Sequence, residues 1–386
     1  MFKRIISPVK TKSCFIFGPR QTGKSTMVRN LLTPDDLYID LLPQRNFLEF
    51  AKQPGRLRDV ILAHHNKHGK FLCVIDEIQK IPDLLDEVHE LIESRGIRFI
   101  LTGSSARKLK RGGANLLAGR AYTYHLFPLT FEEIKKQFDL EKALTHGCLP
   151  VLWESDNEDP VEFLRSYCET YLKEEIAQEG LVRKIGPFSQ FLDIAAAGDG
   201  ETVNFSNIAR ECAVSVKTVQ QYYQILEDTF LAFRLPAWTK SARKQLVSHP
   251  RFYFFDTGVT NALCHTTGGN LDPATRGRRF EQFVVNQIMA KINYARLDLK
   301  PFYWRTNHGA EVDLLLCRGR KIHAAVEIKS SRVIAGETLT GLKSFSSEHP
   351  GVRAFVLGIQ QRDRMIDNKI YVMNWDRFIT RHLPPA

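Results

Sequence analysis

The chain has 386 residues, 43% of them hydrophobic and 25% charged, with a formal net charge of +11. That length allows two or three separate cores, and the composition excludes wholesale disorder. No apolar run reaches the roughly 18–20 residues of a bilayer-spanning helix, and the seven cysteines form no CxxC pair, so neither a zinc site nor a disulfide framework is indicated.

The start, "MFKRIISPVKTKSCFIFG", runs directly into a motif the fold needs, so it reads as mature sequence and not as a cleaved leader. A cytoplasmic, reduced protein with no membrane partner is the expectation. The positive charge is uneven. Residues 1–30 carry seven Lys or Arg and no acid, and residues 94–120 repeat the pattern with "RKLKR" at 107–111. A basic face of this kind favours a polyanionic partner, with ordinary solubility charge as the alternative.

The first predicted elements are a short apolar strand, a glycine-rich loop and the start of a helix, in "CFIFGPRQTGKSTMV" (14–28). Gly18, Pro19, Arg20, Gln21, Thr22, Gly23, Lys24, Ser25 and Thr26 follow the phosphate-loop spacing in full. Its glycines let backbone amides curl around an anion at a helix N-terminus. Lys24 would reach the β- and γ-phosphates, and the Ser25 hydroxyl would coordinate Mg2+. "FLCVIDEIQ" (71–79) reads as a buried parallel strand with Asp76 at its carboxyl end. Asp76 can hold magnesium through water, which leaves Glu77 to polarise the attacking water. The histidines of "LAHHNKHG", His64, His65 and His68, read as surface residues and not as metal ligands.

A third strand, "IRFILTGSSARKL", ends at Thr102-Gly103-Ser104-Ser105. Ser104 can sense the γ-phosphate, or Ser104 and Ser105 can simply cap a helix beginning near Ala106. In "GANLLAGRAYTYHLFPLTFEEI", Arg120 is placed to stabilise transferring phosphate in a neighbour's site, or to form a plain salt bridge. Residues 128–200 show helical spacing, as in "PVEFLRSYCETYLKEEIAQ", and read as a helical lid or bridge.

Residues 1 to about 140 resemble the ATPase domain of the AAA-type superfamily. The whole chain resembles a prokaryotic ATPase family that joins this domain to a C-terminal region of restriction-endonuclease-like type. The matching residues are "GPRQTGKST", "VIDEIQ", "LTGSS", "LLAGR" followed by "FPLTFEE", and the late "EVDLLL…EIKSS". The resemblance implies ATP hydrolysis coupled to movement, with ATP and Mg2+ as cofactors. It also implies that Arg120 acts in trans within a ring, often hexameric.

Further along, "FSNIARECA" and "VKTVQQYYQILEDT" predict a helix–turn–helix with Ile208, Ala209, Val214, Val219, Tyr223 and Leu226 as its core. Ser215, Lys217, Thr218 and Gln221 would face outward at the start of the second helix. "FRLPAWTKSARKQLVSHPRFYF" adds five positive charges and reads as the wing of a winged module suited to phosphate contact, with protein docking as the alternative.

The last region predicts a helix beginning near Arg278 that carries Glu281, then three strands: one ending near Arg305, one at 311–317 and one at 322–329. Glu327 and Lys329, two apart, share a side of their strand. The hairpin can bring Asp313 beside Glu327, so Asp313, Glu327 and Glu281 could hold Mg2+ while Lys329 orients water or neutralises phosphorane charge. This arrangement resembles the PD-(D/E)xK nuclease core, without the proline before Asp313. A structural pairing of the same charges, or recognition without cleavage, stays open.

The expected fold class is α/β. It comprises a P-loop AAA-type ATPase domain (1–140), a helical lid or bridge (141–200), a winged helix–turn–helix (201–250) and an endonuclease-like α/β domain (251–386). The expected function is an ATP-hydrolysing DNA-binding motor or switch that remodels DNA, branched or junction DNA included, as a self-associated ring. The alternatives are a nucleotide-gated, Mg2+-dependent nuclease, and a signalling or scaffolding ATPase whose helix–turn–helix docks proteins.

Overall fold

A computed structural model describes the chain except residues 1, 108, 110–116, 118, 155–158, 173–184, 240–248, 307, 333, 335–338 and 384–386. Most of the basic run at 107–111, and Lys240, Arg243 and Lys244 of the expected wing, lie outside the described residues. The chain divides into two compact units. One comprises residues 1–129 with 228–231, and the other residues 130–227 with 232–386.

The N-terminal unit is built on β1 (Ser13–Phe17), α1 (Lys24–Arg29), β2 (Leu37–Asp40), α2 (Gln44–Lys52), α3 (Gly55–His68), β3 (Leu72–Asp76), α4 (Leu84–Arg95), β4 (Arg98–Gly103) and β5 (Ala121–His125). The strands form one sheet in the order β2-β3-β4-β1-β5, with every neighbouring pair parallel. A parallel sheet covered on both faces needs strands apolar throughout, and β1 and β3 are buried at every position. Phe15, Phe17, Leu57, Ile61, Ile75, Val88, Phe99 and Leu101 belong to its core. Because all five strands run the same way, their carboxyl ends gather at one edge of the sheet, where open α/β folds bind ligands.

The C-terminal unit starts with short helices. These are α5 (Leu140–His146), α6 (Val151–Glu154), α7 (Pro160–Ser166), α8 (Ile185–Ala197), α9 (Phe205–Glu211) and α10 (Val216–Asp228). Asn204 caps α9 through Ser206 N and Asn207 N, both at 3.1 Å. Ser215 Oγ accepts from Thr218 N at the start of α10. Ile208, Ala209, Val219, Tyr223 and Leu226 are buried and Val214 is half-buried, whereas Ser215, Lys217 and Gln221 are exposed. An antiparallel pair, β6 (Ala232–Leu235) and β7 (Arg251–Phe254), follows.

After α11 (Thr257–Leu263), α12 spans Pro273–Tyr294. It begins five residues before the expected Arg278, because Asp272 Oδ1 accepts from Ala274 N and Thr275 N and Pro273 supplies the preset first turn. The remaining elements are β8 (Lys300–Arg305), β9 (Glu311–Arg318), β10 (Lys321–Ile328), α13 (Thr340–Glu348), β11 (Arg353–Gly358), β12 (Arg364–Ile366), β13 (Ile370–Asn374) and α14 (Trp375–Arg381). A mixed six-stranded sheet runs β12-β13-β11-β10-β9-β8. β9 and β10 form the antiparallel hairpin, with Val326 opposite Leu314. Among the described residues no helix is long and apolar enough to cross a membrane.

Candidate functional site

The glycine-rich loop leaves β1 at the carboxyl edge of the N-terminal sheet and enters α1. Gly18 N donates to Gly103 O at 3.2 Å, which fixes the loop beside the end of β4. Glycine is required at position 18, since a Cβ there would lie 2.3 Å from Leu126 O. The turn into α1 is made with positive φ at Gln21 (62°) and Gly23 (87°). The buried Lys24 ammonium folds back to donate to Gly18 O (2.8 Å) and Pro19 O (2.9 Å), and Thr22 Oγ1 donates to Pro19 O (2.8 Å). Arg4 Nη1 donates to Thr22 O at 2.6 Å, tying the N-terminal segment to the loop. Ser25 is half-buried and Thr26 exposed.

At the end of β3, Asp76 is 1% exposed. Its Oδ1 accepts from the Thr102 hydroxyl, and its Oδ2 accepts from the Tyr38 hydroxyl at 2.5 Å. Tyr38, on the neighbouring strand β2, in turn accepts from Arg29 Nη2 at 3.1 Å, and the Arg29 guanidinium lies 4.8 Å from its ring centroid. Burial, reinforced by the bond to Asp76, pushes the Tyr38 phenol well above its ordinary range. Tyr38 gives no motif signal, and only the β2–β3 pairing reveals its role.

Glu77 takes a left-handed backbone (φ 62°), an unfavoured conformation for a non-glycine residue. Its carboxylate accepts from Gln79 Nε2 and from Ser104 Oγ (3.3 Å), while Gln79 Nε2 also donates to Ser104 Oγ (3.1 Å). Ser104 thus meets Glu77, and Ser105 Oγ accepts from Arg107 N at 3.2 Å. Arg120 pairs with Glu93 of α4, whose carboxyl is held below its usual range by that hydrogen bond. His64 and His68 stack on α3, and His64 Nε2 meets Asp35 O.

The late carboxylates also converge, around a residue that local sequence patterning did not flag. Arg251, at the start of β7 and 5% exposed, lies 2.9 Å from Glu311 Oε2, 3.7 Å from Glu281 Oε1 and 3.8 Å from Asp313 Oδ1. Asp313 Oδ2 accepts from Ile328 N (2.8 Å), and Tyr253 Oη donates to Glu281 Oε1 (2.7 Å). Lys329 Nζ sits 2.6 Å from Glu327 Oε1, while the buried Glu327 Oε2 has no hydrogen-bond partner among the described residues. Burial first, then Asp313, hold both Glu281 and Glu327 well above the usual carboxylate range. Among the described residues no group of three or more His, Cys, Asp or Glu is arranged to hold a metal ion. Glu281 and Asp313 instead face the Arg251 guanidinium, and Glu327 pairs with the Lys329 ammonium.

The phosphate loop on β1, the acid on β3 and the intervening β4, all in one parallel sheet, fit a P-loop domain of the AAA type. The comparisons agree for this part of the chain. Residues 10–135 match the family model of an AAA domain. Residues 137–270 match "Domain of unknown function (DUF8612)", and residues 276–378 match "Domain of unknown function (DUF4143)". The chain is similar to uncharacterized proteins of Mycobacterium tuberculosis and Mycobacterium bovis, 28% identical to each over 303 residues, or 77% of this chain. It is also similar to an uncharacterized protein of Haemophilus influenzae, 22% identical over 312 residues, with 74% of this chain and 77% of the relative covered. The match spans 66% of the length of the mycobacterial relatives. An AAA domain implies an ATPase that uses nucleotide, typically with Mg2+.

Proposed function

We propose that the chain is an ATP-hydrolysing switch or motor that acts on DNA as a ring of identical subunits. The observation that carries the ATPase reading is the set of Lys24, Asp76, Glu77 and Ser104 at the carboxyl edge of one parallel sheet. The donor set suits a magnesium nucleotide. Lys24 would exchange the carbonyls of Gly18 and Pro19 for phosphate oxygens, and Ser25 and Asp76 would hold the ion. Bound Mg2+ would neutralise charge on the β- and γ-phosphates. Glu77 would orient the attacking water, and Ser104, bonded to Glu77, would report whether the γ-phosphate is present. Arg120 would leave Glu93 to reach a neighbouring subunit's nucleotide.

The DNA reading is supported by the net charge of +11 and by α9 and α10, which display Ser215, Lys217 and Gln221 outward as a helix–turn–helix would. We read the C-terminal sheet as a restriction-endonuclease-like scaffold that recognises DNA without cutting it. The D…ExK residues on β9, on β10 and just past its end favour that ancestry, and the guanidinium beside them argues against a metal-dependent cut.

The test is ATP hydrolysis with Mg2+, with and without single-stranded, duplex and four-way-junction DNA, the DNA being run on a gel afterwards. Stimulation by one DNA form, with the strands intact, is expected. Cut strands would instead establish the nucleotide-gated nuclease. If no DNA form bound or changed the rate, α9 and α10 would be a protein-docking module of a signalling ATPase.

A further inference from the structure

The carboxylate cluster of the C-terminal unit holds four acids, Glu281, Glu311, Asp313 and Glu327, against the buried Arg251, Lys329 and, at its rim beside Glu311, the half-exposed Arg305. Such a cluster ordinarily attracts a divalent ion, which needs oxygen ligands at about 2.0–2.6 Å from its centre. Here Arg251 Nη1 lies at nearly equal distances, 3.7 and 3.8 Å, from Glu281 Oε1 and Asp313 Oδ1, so one side-chain nitrogen serves both carboxylates.

Arg251 is held there from three directions. Its backbone pairs with Leu235 in the β6–β7 ladder and bridges to Thr202. Its guanidinium lies 4.8 Å from the Tyr303 ring centroid. Its other terminal nitrogen binds Glu311. A guanidinium is more weakly hydrated than an ammonium and keeps its charge when buried, which suits a fixed internal cation. A second observation shows that the cluster still has ligating capacity. Glu327, 6% exposed, keeps Oε2 without a hydrogen-bond partner among the described residues, and it interacts electrostatically with both Asp313 and Glu281.

We propose that Arg251 is the resident cation of this cluster, occupying the place of a divalent metal between Glu281 and Asp313, so that the cluster accepts such an ion only when Arg251 is removed. The C-terminal site is then a binding element whose internal cation comes from the β6–β7 pair, 60 residues or more away in sequence from Glu311 and Asp313. This inference does not depend on ATP hydrolysis or on DNA as the partner.

The test is calorimetric titration of Mn2+ into nucleotide-free, full-length protein, with unfolding temperature measured across the same Mn2+ range. Wild type should show no Mn2+ binding that Asp313→Asn removes. Arg251→Gln should gain one Mn2+ site at least tenfold tighter than any in wild type, with a metal-dependent rise in unfolding temperature. Adding Asp313→Asn should abolish that gain. Arg251→Gln removes the cluster's buried guanidinium and can fail to fold, so Arg251→Gln/Glu311→Gln is made beside it; it removes one acid while keeping Glu281, Asp313 and Glu327. A folded variant that gains no Mn2+ site would overturn the proposal, as would wild-type Mn2+ binding that is lost in Asp313→Asn.

Discussion

Replacing Tyr38 with Phe removes one oxygen and keeps the ring over which Arg29 lies. The lost hydroxyl donates to Asp76 Oδ2 at 2.5 Å, and Asp76 is 1% exposed, so water cannot readily take its place. A hydrogen bond to a charged group contributes about 1.5–3 kcal/mol, and a buried acceptor left short of a donor falls in the same range. The lost Arg29 bond is at the surface and adds little. Tyr38→Phe should therefore destabilise the nucleotide-free N-terminal unit by about 1.5–3 kcal/mol, which for a unit of this size lowers its unfolding midpoint by roughly 5–10 °C. Magnesium nucleotide brings positive charge to Asp76 and replaces the missing donor. The variant should thus gain more from Mg2+ and ATP than wild type does. Differential scanning calorimetry with and without Mg2+ and ATP reads both effects. A midpoint within about 1 °C of wild type without nucleotide would refute the assignment of Tyr38 as the residue that positions Asp76.

Gly18→Ala should sharply reduce nucleotide binding while leaving the C-terminal unit's unfolding unchanged, because its Cβ would meet Leu126 O at 2.3 Å and push the loop off β5; nucleotide titration together with calorimetry checks this. Arg120→Ala should slow ATP hydrolysis, and mixing it with Lys24→Ala should restore part of the rate, since a trans-acting arginine from one subunit then serves an intact site in the other; no recovery on mixing would leave Arg120 as Glu93's partner alone. In the C-terminal unit, burial pushes Asp199 up to about 7 and Asp256 up to about 6. In the folded state Asp256 stays protonated up to about pH 6 and Asp199 up to about 7, where the unfolded chain has already ionised. The unfolded state binds fewer protons, so stability should fall as pH rises from about 4 through 7, by about 1.4 kcal/mol per pH unit for each group within its window. Asp199→Asn should flatten one group's share of that slope, and denaturant unfolding across this pH range measures it.

The parts of the molecule legible in the sequence are those whose chemistry is local. The phosphate loop occupies nine consecutive residues, and Asp76 and Glu77 end one apolar strand, so spacing alone announces them. The β9–β10 hairpin is legible for the same reason, as alternation interrupted by a short turn. What escaped is set by pairing between distant segments. Tyr38 reaches Asp76 because β2 lies beside β3 in register, Asp40 opposite Asp76, and nothing in "LYID" declares that neighbour. Arg251 ends the basic stretch that reads as a wing, yet the β6–β7 ladder turns it into the carboxylates of a helix and a hairpin that come later in the chain. The start of α12 is also set locally, by a different signal. The Asp272-Pro273 cap signal outranks the apolar periodicity that begins further on.

The central claim is that the N-terminal unit hydrolyses ATP with Glu77 orienting water and Lys24 holding phosphate. The most direct measurement is phosphate release under Mg2+ and ATP by wild type, Glu77→Gln and Lys24→Ala, with nucleotide affinity measured in parallel. Wild type should release phosphate. Glu77→Gln should bind nucleotide within a few-fold of wild type and release phosphate at least a hundredfold more slowly, in the range a positioned general base contributes, and Lys24→Ala should lose binding. Wild-type release that survives unchanged in Glu77→Gln, or nucleotide affinity unchanged in Lys24→Ala, would contradict the account.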